Sequence, residues 1–238
     1  MKNLKNAALL CKQAYKSGIP KTLKIENKKT SMVAFLKREK NANWLVFRGT
    51  DSLKDWAYNA NFLPVRVQGS WIHCGFWLAH RSIWKEIRKE LDPQKKLIVT
   101  GHSLGGALAE ISILYLMRKG FKNVDLITFG KPNVFAKWQR GKQARLNGEG
   151  FKVQLSVVNG SDVVARIPRI GYRAALNQTQ LWFAENEDFV DPTPEMKKDQ
   201  WEMFSSVSSH DMSKYCERVD DFLESGFLVA TLTSSLRE

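Results

Sequence analysis

Hydrophobic residues along the chain follow two patterns, continuous runs and helical spacing. The continuous runs predict strands at Ser31–Lys37, Asn43–Phe47, Lys96–Thr100, Val124–Phe129 and Phe151–Val158. Apolar positions at helical spacing predict helices over residues 7–15, from Gly75 to Leu91, over Ala107–Met117 and from Asp211 to Leu223. Strands that alternate with helices predict an α/β fold, with a mostly parallel central sheet and helices on both faces.

Three segments lack a clear strand pattern. The polar stretch 51–61 has Leu53 and Trp56 at helical spacing, and 135–146 is predicted as a polar helix. Residues 184–199 include two prolines and are predicted as a long irregular loop, part of an insertion over 184–209. A chain of 238 residues suits one domain, so we predict a single domain over residues 1–238.

The composition is that of an ordinary globular protein, with 43% hydrophobic and 26% charged residues. No run approaches the roughly 20 apolar residues that span a bilayer. The apolar run Ala7–Cys11 is shorter than the signal-peptide core of about 7–15 residues, and Lys12 ends it. We therefore expect no signal peptide or transmembrane segment, and a protein that is cytoplasmic or released without a classical signal.

The net charge of +13 is spread over scattered lysines and arginines, without a nucleic-acid-binding motif. We expect a solvated basic surface and no nucleic-acid partner, with peripheral contact to an anionic membrane or lipid surface as the alternative. We also expect a monomer. The cysteines Cys11, Cys74 and Cys216 have no metal-ligand spacing, which predicts buried free thiols and no metal site.

Candidate chemistry centres on Gly101-His-Ser-Leu-Gly105, which follows a buried strand and precedes a buried helix. In this G-x-S-x-G pattern the serine occupies a tight strand-to-helix turn, and the glycines allow close approach of neighbouring backbone. The N–H groups at the start of the helix point at a developing oxyanion. The pattern therefore predicts Ser103 as a nucleophile on an α/β-hydrolase fold.

The positions of the histidines identify the candidate general base. On such a fold the triad follows the chain order Ser, acid, His, and His210 is the one histidine after Ser103. Asp162 follows the strand Phe151–Val158, at the carboxyl-end edge where sites form. Asp125 begins a strand and lies at the wrong edge, while the acids of the 184–199 loop are interpreted as solvated. We predict Asp162 as the orienting acid, and packing roles for His80 and His102.

Five segments carry a resemblance to a known family: Leu45–Thr50, Ile72–Phe76, Ile98–Ala109, Thr128–Pro132 and Val158–Pro168. In these segments the chain resembles the class 3 lipases, the family of fungal triacylglycerol lipases and feruloyl esterases. The resemblance runs from about residue 31 to 215, and its most specific part is Ile98–Ala109, the serine turn with its flanks, which we call the elbow.

The resemblance implies an oxyanion hole and a lid. Thr50 would offer its backbone N–H and hydroxyl, partnered by the Leu104 N–H. Residues 51–60 would form a lid, with Leu53 and Trp56 covering the serine until an apolar surface draws them away.

These expectations describe a serine ester hydrolase that forms an acyl-enzyme and needs no metal or organic cofactor. A lipase or carboxylesterase acting on a lipid or small ester is the leading interpretation. A phospholipase acting on anionic membranes is the next because of the basic surface, and a feruloyl-type esterase follows. The alternative from a different functional class is a non-catalytic protein that has the hydrolase fold and binds a lipid or a partner.

Overall fold

The structure is a computed structural model that describes residues 2–16, 18–50, 63–139, 151–160, 162–168, 170–175, 178–183, 188–190 and 207–225. These residues contain four α-helices: α1 (Lys2–Tyr15), α2 (Cys74–Ile87), α3 (Leu104–Arg118) and α4 (Met212–Glu224). Within the same residues the strands are β1 (Leu23–Asn27), β2 (Met32–Arg38), β3 (Asn43–Phe47), β4 (Pro64–Val67), β5 (Ser70–His73), β6 (Leu97–His102), β7 (Val124–Phe129), β8 (Phe135–Ala136), β9 (Phe151–Asn159), β10 (Tyr172–Arg173), β11 (Thr179–Phe183) and β12 (Asp188–Val190).

The central sheet has eight strands in the order β1-β2-β3-β6-β7-β9-β11-β12. The neighbours from β3 to β11 pair in parallel, whereas β1, β2 and β12 join antiparallel at the edges. The carboxyl ends of the parallel strands therefore meet along one edge, where sites form in such sheets. The predicted α/β architecture with a mostly parallel sheet is confirmed.

Helices cover both faces of this sheet, because the side chains of each central strand alternate between two cores. On β3, Leu45 and Phe47 pack in the core that α2 and α3 cover. Trp44 and Val46 point the other way, into the core that α1 and α4 cover. Every residue of β3, β6 and β7 is buried, as expected for strands covered on both faces.

A second, antiparallel sheet of four strands, in the order β10-β8-β5-β4, packs beside the first. Val67, Ile72 and Phe135 point inward from it and join the core around α2 and α3. The predicted polar helix over 135–146 is wrong at its start, because Phe135 and Ala136 are buried and pair between β5 and β10. Residues 140–146 lie outside the described residues.

The remaining predicted segments have different outcomes in the structure. The last helix is confirmed, and Asp211 caps it by accepting a hydrogen bond from the Ser213 amide (2.7 Å). Within the predicted loop 184–199, residues 188–190 form a strand that pairs with β11, because the edge of the sheet offers unsatisfied backbone groups. The predicted lid 51–60, with Leu53 and Trp56, lies outside the described residues. The single domain stays a prediction.

None of the described helices is long and apolar enough to cross a membrane. The three cysteines are free thiols; Cys11 and Cys216 are buried and Cys74 is half-buried. Burial raises the pKa of the Cys11 thiol to about 12 and that of Cys216 to about 11. Neither thiol is therefore ionised, and so nucleophilic, at neutral pH.

Candidate active site

Ser103 occupies the single residue between the end of β6 and the start of α3, at the carboxyl-end edge of the central sheet. Its backbone has φ 58° and ψ −132°, a conformation that costs a non-glycine residue on the order of 1–3 kcal/mol. The turn is held on both sides. The Ser103 amide donates to the Phe129 carbonyl on β7, and the Gly106 amide donates to the Ser103 carbonyl, each at 2.9 Å.

The two glycines of the motif are required by close contacts of the backbone. A Cβ on Gly101 would collide with the carbonyl of Gly105, and a Cβ on Gly105 would collide with the carbonyl of Phe47. Both positions must therefore lack a side chain for α3 to start directly above β6 and beside β3. This is the local reason that the sequence forms a sharp turn here.

The predicted oxyanion residues follow the neighbouring strands β3 and β6. Strand β3 runs parallel to β6 with Phe47 opposite Gly101, and three further residues along each chain lead to Thr50 and Leu104. Gly49 is so close to β6 that an added Cβ would lie 2.8 Å from the His102 carbonyl. Leu104 begins α3, where the first N–H groups of a helix have no intrahelical acceptor. The role of both residues as oxyanion donors stays a prediction.

Asp162 and His210 are brought together from segments that are 48 residues apart in the chain. The His210 Nδ1 atom lies 2.7 Å from Asp162 Oδ2, and the Val164 amide donates to Asp162 Oδ1 at 2.8 Å. Asp162 follows β9 at the carboxyl-end edge, and His210 ends a short 3-10 helix just before α4. Both side chains are buried.

Tyr215 is a third member of this cluster, and sequence reasoning missed it. Its hydroxyl donates to Asp162 Oδ2 at 2.6 Å and accepts a hydrogen bond from the Asn159 amide at 3.1 Å. Burial and the negative charge of Asp162 raise the pKa of Tyr215 well above its ordinary value, so the hydroxyl remains a donor. The available signal was its position on the buried face of α4, one turn after Asp211, which also suits ordinary packing.

Gly130, directly after β7, makes room for this cluster. It has φ 52°, and an added Cβ would lie 2.6 Å from Asp162 Oδ2, 2.8 Å from the Tyr215 hydroxyl and 3.1 Å from His210 Cε1. Only a residue without a side chain lets the strand end come this close to the carboxylate and the imidazole. The strand that accepts the Ser103 amide therefore also lies against His210.

His102 packs between the serine turn and His210. Its ring lies 4.4 Å from the His210 ring, and its Nδ1 atom lies 2.9 Å from the Tyr15 hydroxyl on α1. Burial, and then the charge of His210, lower the pKa of His102 well below its ordinary value, so it stays neutral beside His210. The predicted packing and hydrogen-bonding role of His102 is confirmed.

His80 also has a structural role. Its Nε2 atom lies 3.0 Å from the Ser112 hydroxyl, and its ring stacks on Trp84 and Tyr115. Burial lowers the pKa of His80 to about 3.

The reactive atoms of the cluster are Ser103 Oγ and His210 Nε2. Both are buried, and neither has a hydrogen-bond partner within the part of the chain that the structure describes. Buried polar atoms are rarely left unpaired, so each one calls for an explanation, and a catalytic role is one such explanation. The arrangement combines a strained serine at a helix N-terminus with an imidazole whose Nδ1 faces a carboxylate. Such a set of groups can carry out nucleophilic attack assisted by a base.

Comparisons with known proteins point to one family. The sequence pattern of the family described as Lipase (class 3) matches residues 44–172, which is more than half of the chain. A secreted mono- and diacylglycerol lipase of Fusarium solani is 34% identical over 137 residues, covering 53% of this chain and 40% of that protein. A lipase of Rhizomucor miehei is 31% identical over 159 residues, covering 60% of this chain and 42% of that protein.

Solved structures show the same fold. The structure of the Rhizomucor miehei triacylglyceride lipase superposes with a TM-score of 0.71 at 23% identity, covering 88% of this chain and 92% of that chain. A second structure, of a triacylglycerol lipase whose catalytic centre is formed by a serine protease triad, has a TM-score of 0.67. The predicted α/β-hydrolase fold is thereby confirmed. In sequence, the chain spans about half the length of the relatives it matches.

One expectation is contradicted. The chain was expected to be cytoplasmic or released without a classical signal, whereas the matching proteins of Fusarium solani and Penicillium cyclopium are named as secreted lipases. The expectation rested on the shortness of the apolar run Ala7–Cys11, within the segment that forms α1. That run reports how the segment packs against the sheet and carries no information on where the protein is delivered.

Proposed function

Because the chain belongs to the class 3 lipase family, we propose that it is a serine ester hydrolase that cleaves acylglycerols or related lipid esters through an acyl-enzyme. The observation that carries the proposal is the Asp162–His210 pair, with 2.7 Å between Oδ2 and Nδ1. It lies beside the strained turn of Ser103. The relatives named as acylglycerol lipases support this substrate class.

In the first step His210 Nε2 accepts the proton of the Ser103 hydroxyl as Oγ attacks the ester carbonyl. The carbonyl oxygen becomes a tetrahedral oxyanion, which the backbone N–H groups of Thr50 and Leu104 stabilise together with the N-terminal end of α3. The protonated imidazole then donates its proton to the leaving alcohol as the carbon–oxygen bond breaks. Ser103 is left as an acyl ester.

In the second step a water molecule gives its proton to His210 Nε2 and attacks the acyl ester. Collapse of the second tetrahedral intermediate returns the proton to Ser103 Oγ and releases the fatty acid. Throughout, Asp162 accepts the hydrogen bond from His210 Nδ1, which sets the imidazole tautomer and stabilises its positive charge. The hydrogen bonds of Asp162 to Tyr215 and Val164 hold the carboxylate in the position that this role requires.

Replacement of the serine tests the proposal. Ser103→Ala should lower kcat/KM for p-nitrophenyl butyrate by about 10⁴-fold or more and abolish labelling by a fluorophosphonate probe. Ser82→Ala is a matched control, since Ser82 lies on α2 and hydrogen-bonds to Ala79 and Thr30; it should keep both readouts. Hydrolysis and labelling that survive in Ser103→Ala would refute the nucleophile. A parental protein that fails to label would favour a non-catalytic lipid-binding scaffold.

A second candidate is a phospholipase that acts on anionic membranes, and the net charge of +13 favours it. Attraction between exposed charges is screened by salt. A phospholipase of this kind should hydrolyse phosphatidylglycerol vesicles faster than an emulsion of triacylglycerol, and the preference should shrink as salt is added. Equal rates on both substrates at low salt would assign the chain to the acylglycerol lipases instead.

The relatives named as secreted also lead us to propose that the protein acts outside the cell. Immunoblots of culture medium and cell extract from the source organism test this. Accumulation in the medium without a cytosolic marker is the expected result, whereas retention in the cell extract would contradict it.

A further inference from the structure

The four-stranded sheet and the residues that adjoin it carry a row of large side chains, which we call the tryptophan row: Arg66, Trp71, Trp138 and Ile170. Arg66 is exposed and Trp71 is half-buried. Trp138 is 54% exposed and Ile170 is 91% exposed, among the highest values for large apolar side chains in the described residues. The Trp71 and Trp138 rings lie 6.5 Å apart at 55°. Exposed apolar side chains that cluster in this way mark interaction surfaces, whereas isolated ones do not.

The strand register places these four residues side by side. Arg66 on β4 is directly opposite Trp71 on β5. At the other end of the row, the Lys137 amide donates to the Gly171 carbonyl at 2.8 Å. The next residue on one chain and the preceding one on the other, Trp138 and Ile170, are therefore neighbours across the antiparallel pair. The row runs from β4 and β5 to the residues that adjoin β8 and β10.

Hydrogen bonds from a buried glutamine hold the backbone that carries Trp71. The Gln139 side chain accepts a hydrogen bond from the Trp71 amide (2.9 Å) and donates one to the Trp71 carbonyl (2.7 Å), as a paired strand would. Arg173 donates to the Gln139 carbonyl, and the Gln139 side chain is buried. The tryptophans are thus preorganised for contact, and binding need not order them.

Arg66 gives the row a positive charge, since it is exposed and directly opposite Trp71. Among the described residues, the segments 64–67, 70–73, 135–139 and 170–173 contain no aspartate or glutamate. Elsewhere on the surface, cations lie within a few residues of carboxylates, as in the pairs of Lys24 with Glu26 and Lys89 with Glu86. The row is therefore complementary to an anionic surface.

The row also lies close to the candidate active site along the chain. Gly130 contacts the Asp162 and His210 side chains, and β8 begins five residues later at Phe135. One short segment of the chain therefore joins the site to the sheet that carries the row.

We propose that the tryptophan row docks the protein on an anionic lipid surface. Tryptophan has an apolar ring system and a polar N–H, so it prefers the boundary between lipid headgroups and acyl chains. Ile170 adds apolar area, and Arg66 attracts the anionic headgroups. The proposal deepens the proposed function, since a lipid ester substrate is presented in such a surface, but docking itself requires no hydrolysis.

Vesicle binding without hydrolysis provides the test. In a Ser103→Ala background, sedimentation with vesicles of equimolar phosphatidylcholine and phosphatidylglycerol measures the partition of the protein. Trp138→Ser combined with Ile170→Ser should weaken binding about tenfold, because apolar area is removed from the contact. The matched control is Leu9→Ser with Leu23→Ser, two exposed leucines on α1 and β1, which should bind as the parent does.

Charge is tested separately. Arg66→Gln should weaken binding to these vesicles about fivefold at low salt and leave binding to pure phosphatidylcholine unchanged. Arg88→Gln removes the same charge from an exposed position after α2 and should have little effect. Added salt should reduce the difference between the two variants.

Three results would overturn the proposal. In the first, the Trp138→Ser, Ile170→Ser protein binds vesicles as tightly as the parent. In the second, the row variant and the control variant weaken binding equally. In the third, the row variant still binds vesicles but has a different mass in sedimentation equilibrium. The last result would assign the row to contact between two copies of the chain. With Ser103 intact, the row variant should hydrolyse p-nitrophenyl butyrate at the parental rate. Failure of that soluble-ester activity in the parent would count against the proposed function and not against docking.

Discussion

Two buried acid–base pairs flank the end of β7, and they differ in what surrounds the acid. On the side of α1 and α4, Asp162 accepts hydrogen bonds from the Val164 amide and the Tyr215 hydroxyl besides facing His210. On the side of α2 and α3, Glu110 lies 3.1 Å from Lys131 Nζ, and both side chains are almost fully buried. Gly130 and Lys131 are consecutive, so the chain passes from one pair to the other within a single residue.

The difference separates a pair built for proton transfer from one built for packing. His210 has its second ring nitrogen without a hydrogen-bond partner in the described residues, so the pair can act on a further group. Lys131 has a single side-chain nitrogen, which faces Glu110 at 3.1 Å, and burial raises the pKa of Glu110 against the opposing charge of Lys131. A buried ion pair by itself therefore does not identify an active site. The Asp162 pair differs because its imidazole keeps a second nitrogen for a further group.

Replacing the acid of each pair by its amide should give the largest difference between the two pairs. Asp162→Asn should lower kcat/KM for a soluble ester by about 10⁴-fold, because the imidazole loses its orienting charge and its tautomer. Glu110→Gln, the matched change in the other pair, should keep kcat/KM within a few-fold in the folded protein. Steady-state kinetics on the two purified variants is the measurement. Equal losses of activity would mean that the pairs are not distinct in function.

Removing the cation of the packing pair should mainly affect stability. Lys131→Met leaves the Glu110 carboxylate buried without its partner, so the free energy of unfolding should fall by about 3–5 kcal/mol. Urea denaturation measures the loss. The double variant Lys131→Met with Glu110→Leu should recover most of it, because no buried charge remains unpaired. If the single variant were as stable as the parent, the pair would have no structural role.

Tyr215→Phe tests whether the tyrosine hydroxyl positions Asp162. The substitution removes one hydrogen bond to a buried carboxylate, which contributes about 1.5–3 kcal/mol. We expect kcat to fall about tenfold with KM unchanged, since the acid is less well held while the substrate contacts are kept. Tyr115→Phe is the control, because the Tyr115 hydroxyl pairs with Trp77 on the other side of the sheet. An unchanged kcat in Tyr215→Phe would remove Tyr215 from the positioning of Asp162.

The last prediction concerns pH, and its effect is the smallest when it is expressed per pH unit. His80 lies in the same layer as Glu110, and its pKa is about 3 in the folded chain against an ordinary 6.5. Between these values the unfolded chain binds a proton that the folded chain does not. Stability is therefore complete above the higher value and is lost as pH falls below it.

Unfolding free energies measured across this pH window should show the contribution of His80 as a slope. His80→Gln should reduce the slope by at most about 1.4 kcal/mol per pH unit. A slope that is the same in both proteins would show that His80 is not the group responsible.

The elbow and the Asp162 cluster differ in how much of each could be predicted from the sequence. The turn at Ser103 was predictable because Gly101, Ser103 and Gly105 are contiguous, and their steric demands involve the strand and helix that flank them. Asp162 and His210 were chosen by chain order and strand position, and the structure places them 2.7 Å apart. Asp125 instead pairs with Lys96 at the opposite end of β7, which agrees with its exclusion.

Tyr215, Gly130 and the tryptophan row could not be found in this way. The hydroxyl of Tyr215 matters because α4 packs its buried face against the end of β9, and a tyrosine on an apolar helical face has the same pattern whether or not it meets a carboxylate. The short strand Phe135–Ala136 was mistaken for part of a helix, because two residues are too few to show a period and their partners, Ile72 and Tyr172, are distant in the chain. The central strands, the elbow and the cap of α4 follow from local patterns, since local sterics and hydrogen bonds create them. The buried cluster and the exposed row exist only when segments tens of residues apart close on one another.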